Sequence, residues 1–162
     1  MPVVSNTSPL SNLAMIDRLE LLRSQLGQIT IPPAVQKELE RMRNPSALTR
    51  LIAAFADGWL QVAPLTTPVS QELAALLDSG EAEALTLATE LKASLILLDE
   101  TAARLRASQL GIPYTGVLGV LHRAKQTGQI ASIATEIRKL RLEARFFISP
   151  ALERRLLASV GE

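Results

Sequence analysis

Cysteine is missing altogether, and histidine occurs once among 162 residues, at His122. The first absence removes disulfides, thiolate metal sites and a cysteine nucleophile, and fits an intracellular chain. The second leaves no Ser-His pair and no zinc cage, so His122 reads as an ordinary helix-surface residue. Aromatic residues make up 3% of the chain against 48% hydrophobic ones, so the core is aliphatic and platforms for base stacking are scarce. Charge of one sign is also lacking: 17 Lys and Arg face 16 Asp and Glu, for a net charge of +1, and no global field argues for or against nucleic acid. No apolar run reaches the roughly 20 residues needed to span a bilayer, and no basic-then-apolar leader is visible, so no membrane association is expected and the expected compartment is the cytoplasm. No Gly-rich phosphate loop follows a strand, which ranks a receiver-like or nucleotide-binding module low.

What is present is an alternation of short β-branched or apolar runs with helical periodicity. Ala93-Ser94-Leu95-Ile96-Leu97-Leu98 runs into Asp99-Glu100 and then turns helical, the signature of a strand buried on both faces in the middle of a parallel sheet. Further strands are expected at Pro2–Ser5, Gln28–Ile31, Trp59–Pro64 (near an edge because of its proline) and Gly111–Thr115. The helices between them are read at 10–22 with a break near Asp17, from Pro33 through Met42, 46–55, 71–77, a face of Ala84, Leu85, Ala88 and Leu91 following an interruption at 78–81, then 101–110, 117–126, 130–141 and 151–159. This order implies one domain over residues 1–162, an α/β chain with a mostly parallel, doubly wound sheet and right-handed crossovers.

Ligands of such sheets bind at the carboxyl ends of the strands. Asn6 follows the first strand and Asp99 the buried one, so the two stand at the same edge, and neighbouring strands are only ~4.8 Å apart. Glu38 lies just off the Val35/Leu39/Met42 stripe. Glu81 shares a helix face with Ala84, Leu85 and Ala88, and Glu83 points about 200° away. With Glu100, these residues ring one rim. Clustered carboxylates raise one another's pKa unless a cation neutralises them. Oxygen-only ligands favour Mg²⁺ or Mn²⁺, and such an ion suits phosphodiester hydrolysis. Each residue also has a plainer reading. Asn6 and Ser8 cap the first helix, Glu38 pairs with Arg41 or Arg43, Glu81 forms a capping box with Asp78, Glu83 sits at the surface, and Glu100 caps its helix and pairs with Arg104. Asp99 is the hardest to dismiss, because an acid ending a buried strand is costly unless a cap or a cation uses it.

Five segments, in order and spacing, resemble the PIN-domain nucleases, closest to the prokaryotic branch related to VapC-type toxins: Val3-Val4-Ser5-Asn6-Thr7-Ser8-Pro9-Leu10, Ile31-Pro32-Pro33-Ala34-Val35 with Glu38-Leu39, Gly80-Glu81-Ala82-Glu83-Ala84-Leu85, Leu97-Leu98-Asp99-Glu100-Thr101-Ala102-Ala103-Arg104, and Thr115-Gly116-Val117-Leu118-Gly119-Val120-Leu121. The resemblance implies a PIN-like three-layer α/β/α sandwich and Mg²⁺- or Mn²⁺-dependent cleavage of RNA. It also implies a homodimer and an antitoxin protein as partner. Carried over residue by residue, the family's four acidic positions fall on Asn6, Glu38, Glu81 (or Glu83) and Asp99, with Glu100 where a further acid is common. The family's first position is usually Asp. Asn6 keeps an oxygen for a cation but brings no charge and accepts no proton, so metal affinity and catalysis are expected to fall. The same Asn occurs in the closely related branch. That feature keeps a second reading in view, a weak or inactive PIN fold that binds RNA or protein.

One further pattern bears on partners. From Arg123 to Arg155, Arg123, Lys125, Arg138, Lys139, Arg141, Arg145, Arg154 and Arg155 stand against Glu136, Glu143 and Glu153, a net charge of +5. This segment is read either as a phosphate-backbone surface or as solvated helix faces and dimer rims. Phe146-Phe147-Ile148 is read as part of a protein interface.

Overall fold

The computed structural model describes residues 1–162. Its centre is one parallel sheet of β1 (Val3–Ser5), β2 (Ile29–Ile31), β3 (Leu60–Val62), β4 (Leu95–Leu97) and β5 (Tyr114–Thr115), in the order β3-β2-β1-β4-β5. The helices are α1 (Thr7–Met15), α2 (Glu20–Leu26), α3 (Pro33–Glu40), α4 (Pro45–Ala56), α5 (Gln71–Leu76), α6 (Ser79–Glu90), α7 (Thr101–Gln109), α8 (Val117–Gln126), α9 (Ile133–Glu143) and α10 (Pro150–Ser159).

Alternation along the strands splits the interior in two. Val3, Ile29, Ile31, Leu60 and Leu97 face a 27-residue cluster shared with α1–α4, α8 and α9. Val4, Ile96 and Leu98 face a nine-residue cluster with α6 and α7. The result is a three-layer α/β/α sandwich. Each fully buried Leu or Ile contributes roughly 1.5–3 kcal/mol, so the larger layer carries most of the stability. No helix is long and apolar enough to cross a membrane.

Local chemistry explains most boundaries. Asp17 adopts a positive φ of 58° and divides the first helical stretch into α1 and α2. Asn44, Ser132 and Ser149 accept hydrogen bonds from Ala47, Thr135 and Leu152 N–H and so start α4, α9 and α10. Three expectations shift. The middle strand is β1, and β4 is its neighbour, flanked by β5 on the other side. The interruption read at 78–81 is present but lies at 77–78: α5 ends at Leu76, Asp78 caps α6, and residues 79–81 already belong to that helix. Residues 130–132 lead into α9 instead of belonging to it, because Ser132 is its cap.

Candidate functional site

A cleft of about 430 Å³ opens beyond the carboxyl ends of β1 and β4, lined by Asn6, Thr7, Ser8, Ser11, Glu38, Asp78, Glu81, Glu100, Thr101 and Ala102. β1 pairs with β4 in register, Ser5 opposite Leu97, and the Asn6 N–H donates to Leu97 C=O at 3.0 Å. Asn6 and the start of α7 are therefore brought to the same edge by the sheet itself.

Asn6 is 3% exposed, and its Oδ1 is buried with no hydrogen-bond partner. It occupies the N-cap position of α1, yet its side chain makes no cap bond. An orphaned buried acceptor costs about 1–3 kcal/mol, which a cation would relieve. Glu38, half-buried on α3, aims at the same place. A Cβ on Gly80 would stand 2.5 Å from Glu38 Oε1 and 3.2 Å from Asn6 Oδ1, so glycine leaves open the space on which both oxygens converge.

Glu81 closes the floor. It and Asp78 form a reciprocal capping box: Glu81 N–H donates to Asp78 Oδ1 at 2.8 Å, and Asp78 N–H donates to Glu81 Oε1 at 3.2 Å. The other oxygen, Glu81 Oε2, is buried without a partner. Burial, reinforced by the negative charges of Asp78 and Glu100, pushes the Glu81 carboxyl up to about 7. Capping and lining the cleft are thus both true of this residue. Glu100 is exposed at the N-cap of α7 without capping it. Asp78 was not foreseen as a cleft residue. The signal was present in its spacing three residues before Glu81, since a capping box draws both side chains to one helix end.

Two other predicted site residues have partners elsewhere and do not line the cleft. Glu83, half-buried two residues beyond Glu81, accepts from the Ala34 N–H at 3.0 Å. Asp99 accepts from the Val117 N–H at 2.9 Å through Oδ1, while its Oδ2 is buried and unpaired. Burial raises the Asp99 pKa, opposed by that N–H and by the Arg104 charge at 3.8 Å. Arg104 pairs with Asp99 and not with Glu100; it also donates to Leu98 C=O at 2.8 Å and lies 5.2 Å above the Tyr114 ring. Gly116 has no Cβ because one there would collide with Asp99 Oδ1 and Arg104 Nη2.

No three carboxylates or imidazoles draw together closely enough to form a metal cage on their own. The donor set nevertheless fits a hard divalent ion: every group is oxygen, the orphaned Asn6 Oδ1 and Glu81 Oε2 lack donors, and Gly80 keeps the space between Asn6 and Glu38 clear.

The basic segment is partly neutralised. Buried Glu136 pairs with Arg18 at 2.8 Å and with Lys139 at 3.5 Å, Glu153 pairs with Arg141, and Glu162 with Lys125 at 3.6 Å. Arg123, Arg138, Arg145, Arg154 and Arg155 make no ion pair.

A five-stranded parallel sandwich with an acidic cleft at its carboxyl edge defines the class: an α/β/α protein with a PIN-type nuclease fold. A family model described as PIN domain matches residues 2–162, and the chain belongs to the PIN-domain family. Among solved structures it is similar to a PilT N-terminus domain protein from the hyperthermophilic archaeon Sulfolobus solfataricus P2. The two share 20% sequence identity with a TM-score of 0.53, over 76% of this chain and 93% of the other. A search of curated proteins gave no match. PIN domains are generally nucleases and typically use divalent metal ions.

Proposed function

We propose that the chain is a Mg²⁺- or Mn²⁺-dependent endoribonuclease of the VapC-related branch, acting as the toxin of a toxin–antitoxin pair. The observation that carries the metal-dependent reading is the buried, unpartnered Asn6 Oδ1, which shares with Glu38 Oε1 the space left open by Gly80. The RNA substrate, an antitoxin partner, a homodimer and the toxin role rest on the sequence resemblance.

Asn6, Glu38, Glu81 and Glu100 would hold the ion, with Asp78 beside them. A bound Mg²⁺ or Mn²⁺ polarises a phosphodiester and lowers the pKa of water. Glu38 and Glu81 supply the negative charge that Asn6 lacks. Glu81 lines the cleft with an Oε2 that no protein donor occupies, which leaves that oxygen for the ion. Asp99 acts from behind, holding the start of α8 and the end of β4 in place through Val117 and Arg104. Arg123, Arg138, Arg145, Arg154 and Arg155 are the free cations for an RNA backbone outside the chemistry.

A second reading, a PIN fold that binds RNA or protein without cutting it, is favoured by Asn6 and by the lack of a three-carboxylate cage. One assay separates them: purified protein with single-stranded RNA in Mn²⁺ or EDTA, beside Glu38→Ala. Cleavage that needs metal and Glu38 supports the nuclease; binding without cleavage in either buffer supports the module.

A further inference from the structure

We infer that Glu83 is a positioning residue: from α6 it caps the amino end of α3, and by doing so it sets where Glu38 stands in the cleft. The inference rests on the metal-dependent reading of that cleft and adds a residue outside it.

α3 cannot cap itself. Its N-cap residue is Pro32, which offers no side-chain acceptor, and Pro33 has no N–H to satisfy. The first free donor of the helix is the Ala34 N–H, and it is taken by Glu83 Oε1 at 3.0 Å. A carboxylate at a helix N-terminus is stabilised by the exposed N–H groups and by the helix dipole.

The spacing makes this cap a register device. Glu38 lies four residues after Ala34, one turn along the same face of α3; Gly80 lies three residues before Glu83, on one face of α6. One hydrogen bond ties these faces together, Ala34 N–H to Glu83, and one close approach follows from it, Glu38 Oε1 lying where a Cβ on Gly80 would stand 2.5 Å away; the two pairs run in opposite senses along the two helices. Fixing the first contact fixes the crossing point, and with it the approach of Glu38 Oε1 to the place above Gly80. Glu83 is held at one turn's remove from the cleft and does not line it.

The test uses the full chain, Mn²⁺ titrated by calorimetry, and hydrogen exchange at the Ala34 amide followed by NMR. Glu83→Gln keeps an acceptor of the right length, Glu83→Asp keeps the charge but shortens the reach, and Glu83→Ala removes both. Outer partners of metal ligands typically govern affinity by roughly 10- to 100-fold. The expected result is Mn²⁺ affinity lowered about tenfold or more in Glu83→Ala and Glu83→Asp but within about threefold of wild type in Glu83→Gln, with Ala34 exchange accelerated in the first two alone. Wild-type affinity in Glu83→Ala overturns the inference, and so does an equal loss in Glu83→Gln, which would make the charge itself a metal ligand. If the wild-type chain binds no Mn²⁺, the metal-dependent reading fails by itself. Exchange at Ala34 then decides the cap: unchanged in Glu83→Ala, the positioning role falls; accelerated there and restored in Glu83→Gln, the hold on α3 stands.

Discussion

Glu81 and Glu83 sit two residues apart on one helix and do opposite things. Glu81 turns one oxygen to its own helix cap, leaves the other buried and unpartnered, and lines the cleft; Glu83 accepts a hydrogen bond from the amino end of α3. The same division recurs at the end of β4, where Glu100 lines the cleft while Asp99 is fastened to Val117 and Arg104. The rim therefore holds carboxylates that line the cleft, Glu81 and Glu100, and carboxylates fastened to the start of a distant helix, Glu83 and Asp99; Glu81 and Asp99 alike accept from one backbone N–H and keep one oxygen buried and unpaired. The lesson is that one carboxylate can serve a backbone donor and a cleft at once, so its place near a site does not by itself assign its role.

The sharpest break of that comparison is Glu38→Ala, which removes a free oxygen. RNA cleavage in Mn²⁺ should fall about 100-fold or more, as loss of several kcal/mol of charge stabilisation requires, with the melting temperature nearly unchanged. A cleavage rate within threefold of wild type would put Glu38 with the structural acids.

Asp99→Ala should do the reverse and act first on stability. It strands the Val117 N–H and the Arg104 guanidinium, for about 2 kcal/mol. In a chain of this length that corresponds to a fall in melting temperature of roughly 4–8 °C. Asp99→Asn keeps an oxygen for Val117 and should recover most of the loss. Thermal denaturation of the two variants side by side is the measurement, and equal melting temperatures would remove the distinction between a cap and a spare carboxylate.

Gly80→Ala probes the space between the two sets. Its Cβ would meet Glu38 Oε1 at 2.5 Å, so Glu38 must swing away. Mn²⁺ affinity should drop about tenfold, or about 1.4 kcal/mol, while α6 itself is not weakened, since alanine is the better helix former. Calorimetry with Mn²⁺ reads the first effect and circular dichroism the second.

The smallest effect is on pH. Glu81 has its carboxyl raised from 4.5 to about 7 in the folded chain, so the folded state holds a proton that the unfolded state has lost across that window. Its contribution is fully present below about 4.5 and is lost as pH rises through 7. Metal-free protein should lose on the order of 1 kcal/mol between those values, after allowing for water in an open cleft. Denaturant titrations from pH 4.5 to 7.5 test it, and the slope should flatten in Glu81→Gln. Asp99, whose carboxyl burial also raises, contributes a slope of the same sign, and the Glu81 share is the difference between wild type and Glu81→Gln.

Periodicity and turn residues were enough to place all five strands and to put a break at Asp17, because apolar spacing and helix caps are local properties of the chain. They were also enough to bring Asn6 to the edge beside the end of β4, since consecutive βα units must run parallel. Whether Glu81 or Glu83 faced the cleft was not legible. The answer depends on where α3 crosses α6, and Pro32 and Pro33 leave the start of α3 needing a cap from outside. That Asp99 accepts from the start of α8 was not legible for the same reason. An acid at the end of a buried strand must be used by something, and sequence does not say whether that is a cation or the start of α8.

What the sequence alone determined is the sandwich, the family resemblance and the collection of oxygen-bearing side chains at one edge, because each follows from neighbours within a few residues. The tertiary structure alone decided how those oxygens are divided. Backbone N–H groups at helix starts far away in the chain compete for the same carboxylates, and that competition is settled only when the helices pack.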